Sequence, residues 1–303
     1  MRALVTGGAG FIGSHLVDTL VSEGFEVIIL DDLSSGNNQN INKKAKFVLG
    51  SILDRSAVSN SIGKCDFVFH LAAQVSVPKS VSNPDETYKI NIDGTKIVLE
   101  ESLKAGVKKV IIASSAAVYG NSNLPLKETD TLDPQNPYGI SKMKCEYLAS
   151  EFVKQGLSVV CLRYFNVYGP RQSVGAVISN FMRSIVSSKP ITIFGDGNQV
   201  RDYVFVSDVV SANILAAKKA PPGSILNVGT GVATSLLEVV SSIGAASKIK
   251  PIIEFKPTRP GDVNYSCANV SQLKILGGYP STNILEGLKK TYTWWSKISN
   301  NRL

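Results

Sequence analysis

Histidine and cysteine, the residues that most often bind metals or form disulfide bridges, are scarce in this sequence of 303 residues. There are two histidines, His15 and His70, which argues against a zinc site, and we expect no bound metal. The four cysteines are Cys65, Cys145, Cys161 and Cys267. None of them forms a C-x-x-C pair, so they predict reduced thiols in a reducing compartment and not a disulfide framework.

Charged residues are also few, and long hydrophobic runs are lacking. Hydrophobic residues make up 44% of the chain and charged residues 18%, a composition that excludes a disordered or collagen-like protein. No apolar run approaches the roughly 18 residues of a transmembrane helix, and no basic-then-apolar leader opens the sequence. We therefore expect a cytoplasmic protein with no membrane partner.

The net charge of +8 favours anionic partners, which include nucleic acids, acidic lipids and phosphorylated metabolites. The paired lysines are scattered along the chain, however, and a clustered basic tail is absent. Scattered lysines are typical of a solvated surface, so we expect no nucleic-acid partner.

Short β-branched runs alternate with helical stretches in the first half of the chain. The runs cover residues 3–6, 26–30, 46–49, 67–71, 109–113 and 158–162. Because parallel strands need crossover helices, this alternation predicts an α/β fold with a Rossmann-like, doubly wound parallel sheet. After residue 165 the alternation of strands and helices is less regular. We predict a Rossmann domain over residues 1–165 and a smaller α/β substrate-binding region over residues 166–303, partly interleaved with it.

A glycine-rich segment directly follows the first predicted strand and opens a helix. Gly7, Gly8, Gly10 and Gly13 satisfy both G-x-G-x-x-G and G-x-x-G-x-x-G. Glycines at these positions allow a tight turn and let the backbone approach a pyrophosphate, which the helix N-terminus then binds. The strand before and the helix after the motif are the context that supports this interpretation.

Asp31 ends the second predicted strand, 18 positions after Gly13. A carboxylate there can accept hydrogen bonds from the adenosine ribose and repels a 2′-phosphate, and Asp32 doubles that repulsion. No arginine occurs between Asp31 and Lys43. These residues favour NAD over NADP.

Tyr138 and Lys142 are four positions apart, a spacing that places both side chains on one face of a helix. A free phenol has a pKa of about 10, and a neighbouring ammonium and an oxidised nicotinamide both favour its ionised form. Ser115 ends the strand before this helix, where its hydroxyl can hold a substrate oxygen while the phenol transfers a proton. Alone, such a tyrosine–lysine pair is common on surface helices; after a dinucleotide motif it predicts catalysis.

Together these segments resemble the extended short-chain dehydrogenase/reductase family, and within it the UDP-galactose (UDP-glucose) 4-epimerase branch. The resemblance covers residues 1 to about 295 and rests on the segments at residues 6–15, 31–33, 70–73, 114–120, 138–142 and 163–171. It implies Ser115, Tyr138 and Lys142 as the catalytic residues and NAD as the cofactor. The NAD-binding residues that it implies are Gly7, Gly10, Phe11, Ile12, Gly13, Asp31, Asp32, Ser35, Gly36, Ile52, Leu71, Ala72, Ala73, Tyr138, Lys142 and Phe165.

Two departures refine this resemblance. The family usually has an acidic residue near the adenine where Ser51 stands here, which leaves Ile52 as the candidate contact. Sugar-nucleotide 4,6-dehydratases place an acid directly after the catalytic hydroxyl residue, whereas this chain has Ala116 and Ala117. Because alanine cannot transfer a proton, dehydration is disfavoured.

The resemblance also implies a site for a UDP-sugar. The substrate-binding residues that it implies are Ser115, Tyr138, Asn166, Val177, Arg201, Arg259, Asp262 and Ser266. Arg201 and Arg259 would hold the diphosphate, since guanidinium groups bind phosphate oxygens in a bidentate manner, and Asp262 would accept from the uridine ribose. Arg163 and Arg171 either contact a ligand or form structural salt bridges, and the sequence leaves both open.

The resemblance also implies that Ser266 occupies the position that sets the size of the accepted sugar in the family. A small side chain there leaves space for an N-acetyl group, so tolerance of UDP-N-acetylhexosamines is expected. A shift of one residue would put Tyr265 there and reverse this expectation.

The predicted activity is an NAD-dependent 4-epimerisation of UDP-glucose and UDP-galactose through a transient 4-keto sugar, so we expect an isomerase. Alternatives are a UDP-glucuronate 4-epimerase, a nucleotide-sugar oxidoreductase that exchanges NAD with solution, and a catalytically silent regulator. The helices around residues 86–104 and 139–154 resemble those of the family's dimer interface, so a homodimer is expected.

Overall fold

The computed structural model describes residues 1–122, 124–258 and 263–300. The strands are β1 (Arg2–Thr6), β2 (Glu26–Asp31), β3 (Lys46–Leu49), β4 (Phe67–His70), β5 (Lys109–Ser115), β6 (Val159–Tyr164), β7 (Asn166–Tyr168), β8 (Ile191–Phe194), β9 (Val200–Phe205), β10 (Ile225–Val228), β11 (Ala233–Ser235), β12 (Ile253–Lys256) and β13 (Tyr265–Ser266). The α-helices are α1 (Phe11–Ser22), α2 (Arg55–Ile62), α3 (Val77–Ser82), α4 (Pro84–Tyr88), α5 (Gly94–Lys104), α6 (Pro137–Lys154), α7 (Val177–Val186), α8 (Val206–Lys219), α9 (Leu236–Ser247), α10 (Ser271–Leu276) and α11 (Ile284–Asn300).

The main sheet has seven strands in the order β10-β6-β5-β4-β1-β2-β3, and all its neighbouring strands are parallel. Apart from the edge strand β3, its strands are mostly buried, as in a parallel sheet covered by helices on both faces. In β1, Ala3 and Val5 pack towards α1 and α8, whereas Leu4 packs towards α2, α5 and α6. The prediction of a Rossmann-like, doubly wound α/β fold is confirmed.

The seventh strand comes from the second half of the chain. β10 pairs with β6 in parallel, and α8 packs against α1, β5 and β6. The local pattern predicted six strands for this sheet, because sixty residues of less regular pattern separate β10 from the sixth strand, β6. The division at residue 165 stays a prediction, and elements from beyond it complete the main sheet.

The remaining strands form two small sheets beside a core of their own. One has β11, β9 and β13 side by side with β7 also paired to β9, and the other joins β12 to β8. α7, α9 and α11 pack on this core through a cluster that includes Phe181, Val239 and Leu288.

In the described part of the chain, no helix is both long and apolar enough to cross a bilayer. No group of three or more histidine, cysteine, aspartate or glutamate side chains in residues 1–122, 124–258 and 263–300 is placed to hold a metal ion. All four cysteines are buried free thiols.

Candidate active site

The glycine-rich turn joins β1 to α1 in a very confined space. Gly7 has a φ of +71°, which favours glycine, and a Cβ there would lie 2.7 Å from the amide nitrogen of Ala72. A Cβ on Gly13 would overlap the carbonyl oxygen of Gly7, which accepts a 3.1 Å hydrogen bond from the amide of Gly10. Gly10 is the N-cap of α1 and has no side chain, so the positive end of this helix lacks a side-chain cap. This cradle fits the pyrophosphate of a dinucleotide.

Asp31 ends β2 at the same edge of the sheet. Its Oδ2 accepts a 2.9 Å hydrogen bond from the amide of Ala9, and its Oδ1 accepts one of 2.9 Å from the amide of Leu33. Each oxygen keeps another lone pair for a ribose hydroxyl. Burial raises the pKa of Asp31 above its usual value, and the two amide bonds oppose this shift. Gly36 packs against the carboxylate, since a Cβ on it would lie 2.7 Å from Oδ1.

The other predicted cofactor residues follow the strands or begin α1. They are Phe11, Ile12, Asp32, Ser35, Ile52, Leu71, Ala72, Ala73 and Phe165. Asp32 and Ser35 are exposed, whereas Ile52 and Phe165 are buried. Because the carboxyl ends of parallel strands meet at one edge of the sheet, the fold gathers these segments along the crevice where dinucleotides bind.

Helix α6 begins directly against the segment that follows β5. The side chain of Asn136 caps the helix by accepting a 2.9 Å hydrogen bond from the amide of Gly139, and a proline follows the cap. A Cβ on Gly139 would overlap the carbonyl oxygen of Ala117, so glycine allows this close approach. The amide of Tyr138 donates a 3.2 Å hydrogen bond to the hydroxyl of Ser80 in α3. These contacts place the first turn of α6 beside the end of β5.

Tyr138, Lys142 and Ser115 come together at this point. The Lys142 ammonium nitrogen lies 6.0 Å from the centroid of the Tyr138 ring and donates a 2.7 Å hydrogen bond to the carbonyl of Ala113 in β5. Lys142 is buried, whereas Tyr138 is partly exposed. The Ser115 hydroxyl accepts a 3.1 Å hydrogen bond from the amide of Ala117. An ammonium, a phenol and a hydroxyl at one end of β5 can support proton transfer to and from a substrate oxygen.

His70, at the end of β4, is a buried member of a hydrogen-bond chain. Its Nε2 lies 2.9 Å from the hydroxyl of Thr95, which itself donates to the carbonyl of Asn91, so Nε2 carries the proton. Its Nδ1, 2.8 Å from the hydroxyl of Thr6, is then the acceptor. Burial, together with the charge of Lys142, lowers the pKa of His70 to about 3. The imidazole is therefore neutral and holds β1, β4 and α5 together.

On the substrate side, β9 brings several predicted residues to one face of the small sheet. Ser266 in β13 is in register with Arg201 in β9, and Asn166 in β7 is in register with Tyr203. Partners in register project to the same face, and so do residues two apart on one strand. Arg201, Ser266 and Asn166 therefore share a face.

Asp202 projects to the opposite face and organises the loops around it. Its carboxylate is fully buried and accepts hydrogen bonds from the amides of Thr230 (2.7 Å), Gly231 (2.8 Å) and Ala268 (3.2 Å). Burial raises the pKa of Asp202, and these bonds oppose that shift. They tie β9 to the segment that contains Ser266.

Three further predicted substrate residues are Val177, Arg259 and Asp262. Val177 is the first residue of α7 and is exposed. Arg259 and Asp262 lie outside the described residues.

The two arginines whose roles the sequence left open both form ion pairs. Arg163 pairs with Glu146 at 2.7 Å, and each side chain is only 2% exposed. Arg171 pairs with Asp18 of α1 at 2.8 Å, nearer the surface.

Some polar residues near the site were not identified from the sequence. The side chain of Asn91, in a π-helical turn over Lys89–Asp93, donates to the hydroxyl of Ser141 between the two catalytic candidates of α6. The sequence gives one signal for Asn91, since it stands between two isoleucines and such a position is more often buried than exposed. Glu146 gave no signal, because its partner Arg163 is on a different element.

Comparisons with known proteins agree with this geometry. The sequence model of the NAD dependent epimerase/dehydratase family matches residues 3–229. The UDP-glucose 4-epimerase of Mycolicibacterium smegmatis is 40% identical over 99% of this chain and 100% of its own. The crystal structure of UDP-glucose 4-epimerase from Thermotoga maritima with UDP-glucose is 41% identical, with a TM-score of 0.95 over 99% of this chain and 100% of that one.

A more distant solved structure bears on the cofactor. The UDP-glucuronic acid 4-epimerase of Bacillus cereus, in complex with UDP-glucuronic acid and NAD, is 30% identical with a TM-score of 0.92 over 98% of this chain and 100% of that one. The family description names NAD, and the glycine cradle and Asp31 of this chain fit it. The chain is therefore an enzyme that belongs to the NAD dependent epimerase/dehydratase family and uses NAD as its cofactor.

Proposed function

We propose that this enzyme is a 4-epimerase of UDP-hexoses that interconverts UDP-glucose and UDP-galactose through a transient 4-keto sugar. The observation that carries the proposal is the placement of Tyr138 and Lys142 beside Ser115 at the end of β5, at the edge of the sheet where the glycine cradle lies. The similarity to UDP-glucose 4-epimerases over the full chain supports the same substrate class.

The residues of the chain divide the proton chemistry between them. Tyr138 accepts the proton of the sugar C4 hydroxyl and later returns it, while Ser115 holds the same oxygen by a hydrogen bond. Lys142 lies beside this phenol, with its ammonium nitrogen 6.0 Å from the centroid of the ring. Bound NAD supplies the acceptor for the C4 hydride and gives that hydride back to the opposite face of the ring.

The diphosphate has to remain held while the sugar turns over. Arg201 is suited to this role because a guanidinium binds phosphate oxygens in a bidentate manner, and we assign Arg259 and Asp262 to the UDP moiety with it. Asn166 shares the face of Arg201. Asn166 and Val177 would both lie along the diphosphate-sugar. Since the hydride returns to the same sugar, the reaction is redox-neutral and NAD should stay bound.

Ala116 and Ala117 support epimerisation over dehydration. They occupy a short 3-10 turn directly after Ser115. Elimination of water across C5 and C6 needs a proton donor beside the reacting carbons, and a methyl side chain cannot supply one.

The shared face of Ser266 and Arg201 supports a site open to larger sugars. Tyr265 is on the other face of β13, where its side chain interacts with the thiol of Cys267. With Ser266 and not Tyr265 facing the diphosphate, we expect UDP-N-acetylhexosamines to be accepted.

The proposal also assigns a ligand to each region of the chain and includes a homodimer. Residues 1–165 would bind NAD and residues 166–303 the UDP-sugar. A cytoplasmic homodimer would form through the outer faces of α5 and α6, where Tyr147 is 57% exposed and Lys144 lies 5.2 Å from the Tyr88 ring centroid.

The proposal is tested by incubating the purified enzyme separately with UDP-glucose, UDP-N-acetylglucosamine and UDP-glucuronate and separating the products by chromatography. The expected products are the 4-epimers of the first two sugars, without net absorbance change at the nicotinamide band, and NAD(H) released when the protein is denatured. Accumulating NADH would indicate a dehydrogenase, and turnover of UDP-glucuronate alone would favour the uronate epimerase.

A further inference from the structure

A buried ion pair lies one turn beyond the catalytic lysine. Glu146 follows Lys142 by four residues on α6, so it projects about 40° around the helix from it and about 6 Å further along. Its carboxylate accepts two hydrogen bonds from Arg163 of β6, at 2.9 Å from Nε and 2.7 Å from Nη2. The same carboxylate accepts a 2.5 Å hydrogen bond from the hydroxyl of Ser114, the residue before Ser115.

This pair belongs to a polar row that crosses three strands. Ser114 in β5, Arg163 in β6 and Asn227 in β10 are in register, so their side chains point to the same face of the main sheet. Glu146 of α6 lies next to this row and accepts hydrogen bonds from two of its members, Ser114 and Arg163. One carboxylate thus joins the helix with Tyr138 and Lys142 to the strand with Ser115.

The row continues to the substrate side through Tyr119. Arg163 donates a 2.7 Å hydrogen bond to the Tyr119 hydroxyl, which donates at 2.8 Å to Asn227. Burial raises the pKa of Tyr119 to about 12, so this hydroxyl stays neutral and can act as donor. The Asn227 amide in turn donates to the carbonyl oxygens of Leu126 (2.9 Å) and Asn269 (3.3 Å). The segment containing Ser266 is therefore connected to α6.

Stability alone is a weak reason for such a pair. Removing two charges from water carries a large desolvation cost, and apolar side chains of similar volume often replace buried ion pairs without loss of stability. Burial opposes the charge of Arg163, yet the hydrogen bonds and charge of Glu146 raise the pKa of Arg163 above its usual value, so the guanidinium stays ionised. What apolar contacts cannot reproduce is the fixed direction of three charge-assisted bonds to one carboxylate.

We propose that Glu146 and Arg163 are positioning residues of the active site. They hold α6 at a fixed rotation and depth against β5, so that Tyr138 and Lys142 meet the substrate oxygen that Ser115 holds. The inference rests on the proposed epimerisation. Misplacement by about 1 Å can cost 10²-fold in rate, so a loosened helix should lower kcat while the distant diphosphate contacts keep KM unchanged.

The test is an apolar variant, Ser114→Ala with Glu146→Leu and Arg163→Met, which removes both charges together with the serine hydroxyl bonded to the carboxylate and leaves no lone charge. We expect a folded enzyme with its bound NAD(H), a KM for UDP-glucose within about twofold of the wild type, and a kcat at least tenfold lower.

A matched control removes the polar pair on the other face of the same strand. Tyr164 follows Arg163 on β6, and its hydroxyl donates a 2.8 Å hydrogen bond to Asn213 of α8. The variant Tyr164→Phe with Asn213→Leu should change kcat by less than about twofold, because α8 carries no catalytic residue.

The outcomes separate the two proposals. If the folded apolar variant keeps the wild-type kcat, or if the control loses as much, the positioning role is wrong. If the apolar variant does not fold, Arg163→Lys decides: it keeps the charge but loses the bidentate geometry, and an unchanged kcat in it would overturn the role. A wild-type enzyme that epimerises no UDP-sugar would instead overturn the proposed function.

Discussion

The ammonium of Lys142 and the ring of Tyr138 are 6.0 Å apart, with the ammonium bonded at 2.7 Å to the carbonyl of Ala113. That bond ties the side chain of a helix residue to the neighbouring strand. Because Tyr138 and Lys142 are both on α6, the packing of this helix against β5 sets where the two side chains lie relative to Ser115.

Substituting Tyr138→Phe should abolish the chemistry and leave the fold and cofactor unchanged. The phenol hydroxyl is the proposed acid and base, and such a group contributes about 10²- to 10⁴-fold to rate. We expect kcat for UDP-glucose to fall by about 10³-fold, measured by product chromatography, with normal NAD(H) content. Tyr279→Phe, which removes a hydroxyl from an exposed tyrosine between α10 and α11, is the control. A Tyr138→Phe enzyme with more than a tenth of the wild-type rate would exclude Tyr138 as the proton-transfer residue.

Most of the main sheet could be predicted from the sequence, because its signal is local. Helices separate most of the six predicted runs, and all six became strands of the observed sheet. β10 was not predicted as part of this sheet, because the pairing of a strand depends on which elements meet in space. β10 is only four residues long, and nothing in its local sequence indicates that it pairs with β6.

The same distinction applies to the site. The glycine turn and the Tyr138–Lys142 spacing are short patterns with a direct geometric meaning, and the sequence predicted them as one site. The buried group of Ser114, Glu146, Arg163 and Asn227 spans well over a hundred residues of chain. In the sequence its members look like unrelated polar residues, and their contacts become apparent only in the fold, where β5, β6 and β10 lie side by side.

Gly13→Ala should destabilise the turn and prevent NAD binding. The added methyl group would overlap the Gly7 carbonyl, which is backbone and cannot move aside without opening the cradle. We expect NAD(H) recovered from the purified variant to fall below a tenth of the wild-type amount. In Gly24→Ala, by contrast, no atom lies within 4 Å of the new methyl group, so the φ of +81° should cost about 1 kcal/mol of stability without loss of cofactor. Equal NAD(H) content in both variants would contradict the assignment of the cradle.

Ser266→Tyr should narrow the sugar specificity. Ser266 shares the face of Arg201, so a tyrosine there would project towards the proposed sugar site and fill the space of an N-acetyl group. We expect kcat/KM for UDP-N-acetylglucosamine to fall by at least tenfold and that for UDP-glucose by less than threefold. Tyr265→Ser, on the opposite face, should leave the ratio of the two unchanged. If Tyr265→Ser alters the ratio and Ser266→Tyr does not, the register of the specificity position is shifted by one residue.

His70 should make the enzyme less stable in mild acid. The pKa of His70 is about 3 in the folded protein, against an ordinary value of 6.5 that applies when the chain unfolds. Below pH 6.5 the unfolded state therefore binds a proton that the folded state does not, so stability present at neutral pH is lost as the pH falls. Between pH 7.5 and 5.0 the loss from this residue is about 2 kcal/mol.

The measurement is urea unfolding of the wild type and of His70→Gln at both pH values. Glutamine cannot reproduce both hydrogen bonds to Thr6 and Thr95, so the variant is expected to be less stable at pH 7.5. Its stability should nevertheless fall less on acidification than that of the wild type, because no imidazole is left to take up the proton. The pKa of His15 is also lowered by burial, and since both proteins contain that residue its contribution cancels in the comparison. Equal losses in the two proteins would mean that the buried imidazole is protonated in the folded state, and the neutral hydrogen-bond chain through Thr6, His70 and Thr95 would then be wrong.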